Sequence, residues 1–281
     1  MTYREAYDYG VHHLNENHIS EAELDARLLL EYVCHTDRNA LLVHGEQEIT
    51  DKEKEQYQKS IAKRADRIPL QHITGVQEFM GLEFLVSPSV LIPRQDTEIL
   101  VEEVMKHLHD GMRILDVCTG SGCILLSLLH YSNNCQGTGI DISPQALEIA
   151  RRNGENLGID AEFLLSNLFE KAEGRFDVIV SNPPYIPSGE IANLMEEVRA
   201  HEPILALDGT EDGLFFYREI GRDARKYLNR GGRLFFETGH DQGEAVMEIL
   251  KDLGYTDIGM KKDYAGLDRV VCSTFLEEAY V

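Results

Sequence analysis

Residues 114 to 129 read "ILDVCTGSGCILLSLL". An apolar run ends at Asp116-Val117, a turn of small residues follows at Cys118-Thr119-Gly120-Ser121-Gly122, and an apolar helical pattern starts at once. A strand that passes through a glycine turn straight into a helix is the opening unit of an open α/β sheet. Gly120 and Gly122 lack side chains, so a ligand can lie against the backbone, and the helix N-terminus adds free N–H donors. The spacing is not G-x-G-x-x-G. Read alone, the turn fits either a ligand loop or a plain tight connection.

Outward from that unit, apolar segments at 112–117, 136–141, 161–166, 176–181 and 232–238 alternate with helical patterns of helix length. "SPQALEIARRNGENLG" and "GLFFYREIGRDARKYLN" are two of those helices. This rhythm predicts a mostly parallel sheet with helices on both faces. Two further strand patterns, 255–260 and 269–275, are joined by a connection too short for a crossover, so the last strands are expected to run antiparallel. The fold class is therefore α/β, a seven-stranded Rossmann-like sheet.

The N-terminal part has a different texture. "SEAELDARLLLEYVCH" places apolar residues at three-to-four spacing, with Ser20 and Glu23 as an expected capping box. "TDKEKEQYQKSIAKRADR" opens on Thr50 with Glu53 three residues on. "QEFMGLEFLVS" then alternates around Met80-Gly81 as a hairpin would. The expected organisation is a small all-helical domain at 1–70, a linking β-hairpin at 71–94 and the α/β domain at 95–281.

Composition narrows the function classes. With 43% hydrophobic and 27% charged residues in 281, the chain is globular, and no apolar run reaches a membrane span. The start lacks a signal-peptide pattern, so a cytoplasmic protein is expected. A formal net charge of −22 opposes a phosphate backbone, which disfavours nucleic acid as a partner. The one basic cluster, Lys59, Lys63, Arg64 and Arg67, reads as a solvated helix face. Five scattered cysteines form no C-x-x-C pair and are expected to be reduced thiols. No Cys/His ligand spacing is present, and no metal is expected.

Two more stretches carry chemistry. In "GTGIDISPQALEIA" the strand after the glycine turn ends at Asp141, with Ser143-Pro144 opening a helix. A carboxylate at a strand tip beside a glycine loop can accept both hydroxyl hydrogens of a ribose, although an acid that merely helps to cap the helix fits too. In "DVIVSNPPY", residues 177–185, an apolar strand ends on Asn182-Pro183-Pro184-Tyr185. Asn182 offers an acceptor oxygen, and two prolines fix φ and present carbonyls without competing N–H groups. Such a corner suits an –NH2 group, with Tyr185 placed to pack on its flat substituent.

"DVCTGSG", "GIDIS" and "NPPY" together resemble the S-adenosylmethionine-dependent methyltransferases that act on planar nitrogens, either exocyclic amines of bases or glutamine amides. "RIPLQHITGVQEFMGLEFLVSPSVLIPRQDTEILVE" (67–102), "HEPILALDGTEDGLFFYREI" (201–220), "FETGHDQG" (236–243) and "DYAGLDRVV" (263–271) resemble the bacterial release-factor glutamine N5-methyltransferases, the PrmC/HemK family, over nearly the whole chain. The resemblance implies methyl transfer to the glutamine of the Gly-Gly-Gln motif in class I peptide chain release factors, with S-adenosylhomocysteine as the other product. It implies acceptor-site roles for Asn182, Pro183, Pro184 and Tyr185. It implies cofactor contacts for Cys118, Thr119, Gly120, Ser121, Gly122, Asp141, Asn167, Leu168 and Asn182. The chain departs from the family at Gln95-Asp96, commonly Pro-Glu, and at Asn167, often Asp. A ribosomal-protein glutamine, a nucleic-acid amine, or cofactor binding without catalysis are the alternative readings.

Overall fold

The structure, a computed structural model, describes residues 1–276. The chain divides into two compact units: Met1–Val76 with Met195–His201, and the remainder.

The first unit is helical: α1 (Tyr3–Glu16), α2 (Ala22–Cys34), α3 (Arg38–Val43), α4 (Asp51–Ala65) and α5 (Leu70–Thr74). Capping boxes start α1, through Thr2 and Glu5, and α4, through Thr50 and Glu53. The box expected at Ser20 does not form. Glu21 is the N-cap of α2, it makes no side-chain cap bond, and the helix begins one residue later than the Ser20 reading requires. Leu14, Leu29, Leu30, Tyr57 and Ile61 fill the core of this unit. Gly10 lets α1 approach α4, because a Cβ there would lie 2.1 Å from the Tyr57 hydroxyl. That hydroxyl donates to the Ala26 carbonyl at 3.1 Å.

The basic cluster is only in part the solvated face expected of it: Lys59 and Lys63 are exposed, but the two arginines are drawn into ion pairs. Arg64 is buried against Asp25 at 2.7 Å and also reaches Glu197 at 3.2 Å. Arg67 pairs with Glu197 at 3.3 Å and donates to the Asn17 and His18 carbonyls. The spacing of cations along one helix could not show that acids distant in sequence neutralise them.

From Val76 onward, strands β1 (Val76–Phe79) and β2 (Leu82–Leu85) form a separate two-stranded hairpin, and the second unit begins at Gln77. Met80 (φ 52°) and Gly81 (φ 70°) are both left-handed, as a two-residue hairpin turn demands. After α6 (Gln95–Met105) come β3 (Arg113–Val117), α7 (Cys123–Tyr131), β4 (Gln136–Asp141), α8 (Pro144–Leu157), β5 (Glu162–Leu165) and β6 (Phe176–Ser181). The short α9 (Glu196–His201) belongs to the first unit. Then follow α10 (Phe215–Ala224), β7 (Leu228–Glu237), α11 (Gly243–Asp252), β8 (Thr256–Lys262) and β9 (Asp268–Thr274).

The sheet order is β5-β4-β3-β6-β7-β9-β8. Its first five strands are parallel, and β9 runs antiparallel to both β7 and β8. Side chains alternate between two cores, as the pleat requires. Ile114, Val178, Val180, Phe235 and Val270 meet α6, α7 and α8, whereas Leu115, Ile179, Leu234, Phe236 and Val271 meet α10 and α11. The chain leaves β3 toward β4 on one side and later places β6 on the other. The carboxyl ends of β3, β4 and β6 therefore face a crevice at the switch point.

Candidate active site

Register places the functional segments side by side. Val117 at the end of β3 pairs with Ile140 in β4 and Ser181 in β6, so the glycine turn, Asp141 and Asn182 leave the sheet at one edge. Ser181 ties two of these ends together by donating its hydroxyl to the Val117 carbonyl at 2.6 Å.

The turn itself is conformationally demanding. Cys118 (φ 63°), Gly120 (φ 56°) and Gly122 (φ 79°) are all left-handed. Holding a cysteine there stores strain of a kind concentrated at ligand sites. The Gly120 amide donates to Asp141 Oδ2 at 2.9 Å and the Ser143 amide to Oδ1 at 2.9 Å, so Asp141 braces the loop as well as bordering the crevice. Burial raises the Asp141 pKa above the usual carboxylate range, and these two amides work against that rise. Asp116 lies behind the loop, fully buried, and takes a 2.6 Å bond from the Thr119 hydroxyl. Burial pushes Asp116 up to about 7, opposed by Thr119 and reinforced by Asp141.

A cavity of about 310 Å³ opens over this edge. Cys118, Thr119, Gly120, Ser121, Asp141, Asn167, Leu168, Asn182 and Pro184 border it, while Gly122, Pro183 and Tyr185 do not. Leu205, Phe215 and Phe216 supply an apolar and aromatic wall that sequence reasoning missed. Leu168 (φ 46°) is held in its turn by Ser166, whose hydroxyl donates to the Leu168 carbonyl at 2.7 Å and accepts from the Lys171 amide at 3.0 Å. The Asn167 amide donates to Glu170 at 2.9 Å. A larger open cleft, about 850 Å³, lies on the first unit between α1, α2 and α3. The acids that line it, Asp8, Glu21 and Glu23, are exposed.

The Asn182 corner is braced from behind. Asn182 Nδ2 donates to Thr97 Oγ1 at 3.4 Å, and the Tyr185 hydroxyl donates to Glu237 Oε1 at 3.4 Å. Gln242 Nε2 donates to the Tyr185 carbonyl at 2.9 Å. Ile186 exchanges backbone bonds with the following loop, donating to Leu207 at 3.0 Å and accepting from Gly209 at 2.8 Å. Glycine is required in that loop: a Cβ at Gly209 would lie 2.7 Å from the Tyr185 backbone, and one at Gly213 2.4 Å from its carbonyl oxygen. Glu202, nearly buried, is paired with Arg94. Glu237 is buried at the end of β7, which pushes it up to about 7 against the opposing Thr97 hydroxyl and the Arg269 guanidinium. The acid in "FETG" was visible at a strand end, but nothing in sequence tied it to Asn182.

Among the described residues no group of three or more His, Cys, Asp or Glu is placed to hold a metal ion. No helix among them is long and apolar enough to cross a membrane.

This sheet, with its glycine turn, strand-tip acid and the Asn182 and Pro184 of its corner at one cavity, defines a methyltransferase of the Rossmann-like class. Solved structures share the fold. A methyltransferase from Pyrococcus furiosus superposes with TM-score 0.56 at 21% identity, covering 77% of this chain and 100% of that one. A T. thermophilus 16S rRNA N2 G1207 methyltransferase, in complex with AdoMet and guanosine, gives TM-score 0.52 at 18% identity, covering 71% of this chain and 49% of that one. Family models described as PrmC N-terminal domain and Methyltransferase small domain match residues 5–75 and 94–209. The release factor glutamine methyltransferase of Geobacter sulfurreducens is 42% identical, over 96% of this chain and 95% of its own. That of Clostridium acetobutylicum is 43% identical, over 88% and 89%. The chain belongs to the release factor glutamine methyltransferase family.

Proposed function

We propose that this enzyme transfers the methyl group of S-adenosylmethionine to the side-chain N5 of the glutamine in the Gly-Gly-Gln motif of class I release factors, in the cytoplasm. The observation that carries the reading is Asn182, held at the border of a cavity lined by the glycine turn, in a chain with full-length relatives named for this activity. The donor set fits the cofactor. The Cys118–Ser121 turn would take its amino-acid end, Asp141 its ribose hydroxyls, and Asn167-Leu168 the edge of its adenine. When bound, the cofactor supplies an electrophilic methyl on a sulfonium.

The protein's task is then positioning. An amide nitrogen is a weak nucleophile because its lone pair is delocalised. Asn182 Oδ1 and the Pro183 carbonyl would accept from the glutamine –NH2 and aim the nitrogen in line with the methyl. As positive charge develops on nitrogen, these oxygens hold it more tightly than in the ground state. The surplus proton leaves the nitrogen after transfer. Leu205, Phe215 and Phe216 limit water at the reacting atoms. The helical N-terminal domain, residues 1–70, serves as the recognition part for the folded acceptor protein.

The decisive experiment incubates the protein with labelled S-adenosylmethionine and purified release factor, then maps the modified peptide by mass. Label on the Gly-Gly-Gln glutamine is expected. Label on a ribosomal-protein glutamine or a nucleic acid, with none on release factor, overturns the proposal.

A further inference from the structure

We propose that Gln242 is a positioning residue whose one side-chain amide holds the acceptor corner in register with the aromatic wall of the cavity. The inference rests on the reading of Asn182 as the partner of the glutamine –NH2. Gln242 stands at the N-cap of α11, yet its side chain makes no cap bond with that helix. An N-cap side chain ordinarily accepts from amides in the first turn of its own helix. Here it turns away, and its hydrogen bonds go to other segments.

Gln242 Nε2 donates to the Tyr185 carbonyl at 2.9 Å and to the Gly213 carbonyl at 3.5 Å. Its Oε1 accepts from the Gly239 amide at 3.1 Å. The Tyr217 hydroxyl, which donates to the Glu237 carbonyl at 3.0 Å, lies 3.4 Å from the same oxygen. A backbone carbonyl only accepts and a backbone amide only donates. Two carbonyls at one end and an amide at the other therefore leave the Gln242 side chain a single orientation. Glycine on both sides makes room for it: a Cβ at Gly213 would lie 2.6 Å from Nε2, and one at Gly239 would lie 2.7 Å from Oε1. A side chain that only filled space would need neither that polarity nor that clearance.

The segments joined in this way belong to the cavity, although Gln242 itself does not border it. Tyr185 closes the corner, and Pro183 and Pro184, with φ fixed by their rings, make a stiff link back to Asn182. Ser181 ties the start of that link to Val117. Gln242 holds its far end, so a shift of the Tyr185 carbonyl is carried to the Pro183 carbonyl and Asn182. Gly213 comes just before Phe215 and Phe216, which border the cavity together with Asn182 and Pro184. One amide thus couples the atoms offered to the substrate nitrogen to the wall that limits water around them.

The test compares Gln242→Met and Gln242→Glu for kcat, for KM toward release factor, and for cofactor affinity and stoichiometry by calorimetry. Both replacements are close to glutamine in length. Met keeps the bulk and loses every bond, whereas Glu keeps Oε1 and sets a second oxygen against two carbonyls. Both are assayed well above the carboxylate pKa range, so that Glu is ionised. In each variant kcat per cofactor-binding site should fall by about tenfold or more, with KM for release factor and cofactor affinity held near parental. Parental kcat in either variant overturns the inference. So does a raised KM at parental kcat, which makes Gln242 a recognition residue, and so does a loss confined to binding stoichiometry, which makes it structural alone. Asn182→Ala keeps the two readings separable: an active Asn182→Ala removes the underlying assignment, whereas an inactive Asn182→Ala beside fully active Gln242→Met removes only the role of Gln242.

Discussion

Gly213→Ala isolates the contribution of corner placement to catalysis. Gly213 sits at φ +71°, and a Cβ there would lie 2.4 Å from the Tyr185 carbonyl oxygen, about 0.6 Å inside the 3.0 Å below which such contacts are essentially never found. The obstructing atom is backbone, so no rotamer change relieves it. The Tyr185 carbonyl also receives Gln242 Nε2, itself 2.6 Å from the same Cβ position, so the brace and the corner must shift together. Two effects follow. A left-handed non-glycine residue costs of order 1–3 kcal/mol of stability. Displacing the Asn182 corner by a little over half an ångström should lower kcat by roughly ten- to a hundredfold, since a 1 Å misplacement can cost about a hundredfold. Gly158→Ala is the matched control: φ is +66°, nothing lies within 4 Å of its Cβ, and it ends α8. It should show the stability loss with parental kcat. Steady-state methyl transfer, with thermal unfolding and cofactor calorimetry alongside, reads all three quantities. Parental kcat in Gly213→Ala, or an equal kcat loss in Gly158→Ala, would refute the reasoning.

Asn182→Ala should lower kcat by about a hundred- to a thousandfold, as loss of a transition-state hydrogen-bonding partner does, while its thermal midpoint stays close to the parent; full activity would end its assignment as the acceptor. Asp141→Ala should weaken cofactor binding by about ten- to a hundredfold, because a charged partner of the ligand and of the Gly120 amide is lost together. Calorimetry showing parental affinity would leave Asp141 only its capping of α8. Arg64→Met should destabilise by about 3–5 kcal/mol in denaturant unfolding, because Asp25 stays buried without its 2.7 Å partner, and Asp25→Leu added to it should recover most of that. If the single variant unfolds like the parent, the pair does not carry the first unit. Asp116 takes up a proton more readily folded than unfolded, so it makes stability fall as pH rises from about 4 to about 7. Asp116→Asn should remove that contribution, so the difference in unfolding free energy between variant and parent should change across this interval and level off above it.

What the sequence revealed follows from the range of the interactions involved. Strands and helices of the sheet are set by local periodicity, so the segments read at 136–141 and 176–181 coincide with β4 and β6. The glycine turn was legible for the same reason, because φ above zero at Gly120 and Gly122 is written in the residue type. Cys118 and Leu168 share that conformation with no such marker. The Ser20 cap does not form because a hydroxyl residue with an acid three positions on permits a capping box but does not fix where the helix begins. Arg64 was misread because its partners lie 39 and 133 positions away, and helix periodicity carries no information about either.

The candidate site divides along the same line. The cavity residues carried by the motifs stand at or just beyond strand ends, where the alternation of the sheet dictates which edge they leave from, so Asp141 and Asn182 are placed together by sequence alone. The residues behind them, Thr97, Glu237, Gly209 and Gly213, come from α6, β7 and a loop. Each acts on Asn182 or Tyr185 across a gap in sequence that no motif spans. A motif identifies the atoms offered to a substrate. Their orientation is held by buried partners whose identity is decided only when β6 and β7 pair and α6 closes over the sheet. A corner that shifts preserves every letter of "NPPY" and loses the aim of its acceptor. For this reason Gln242, which lies outside the motif, is the more discriminating position at which to test how the corner works.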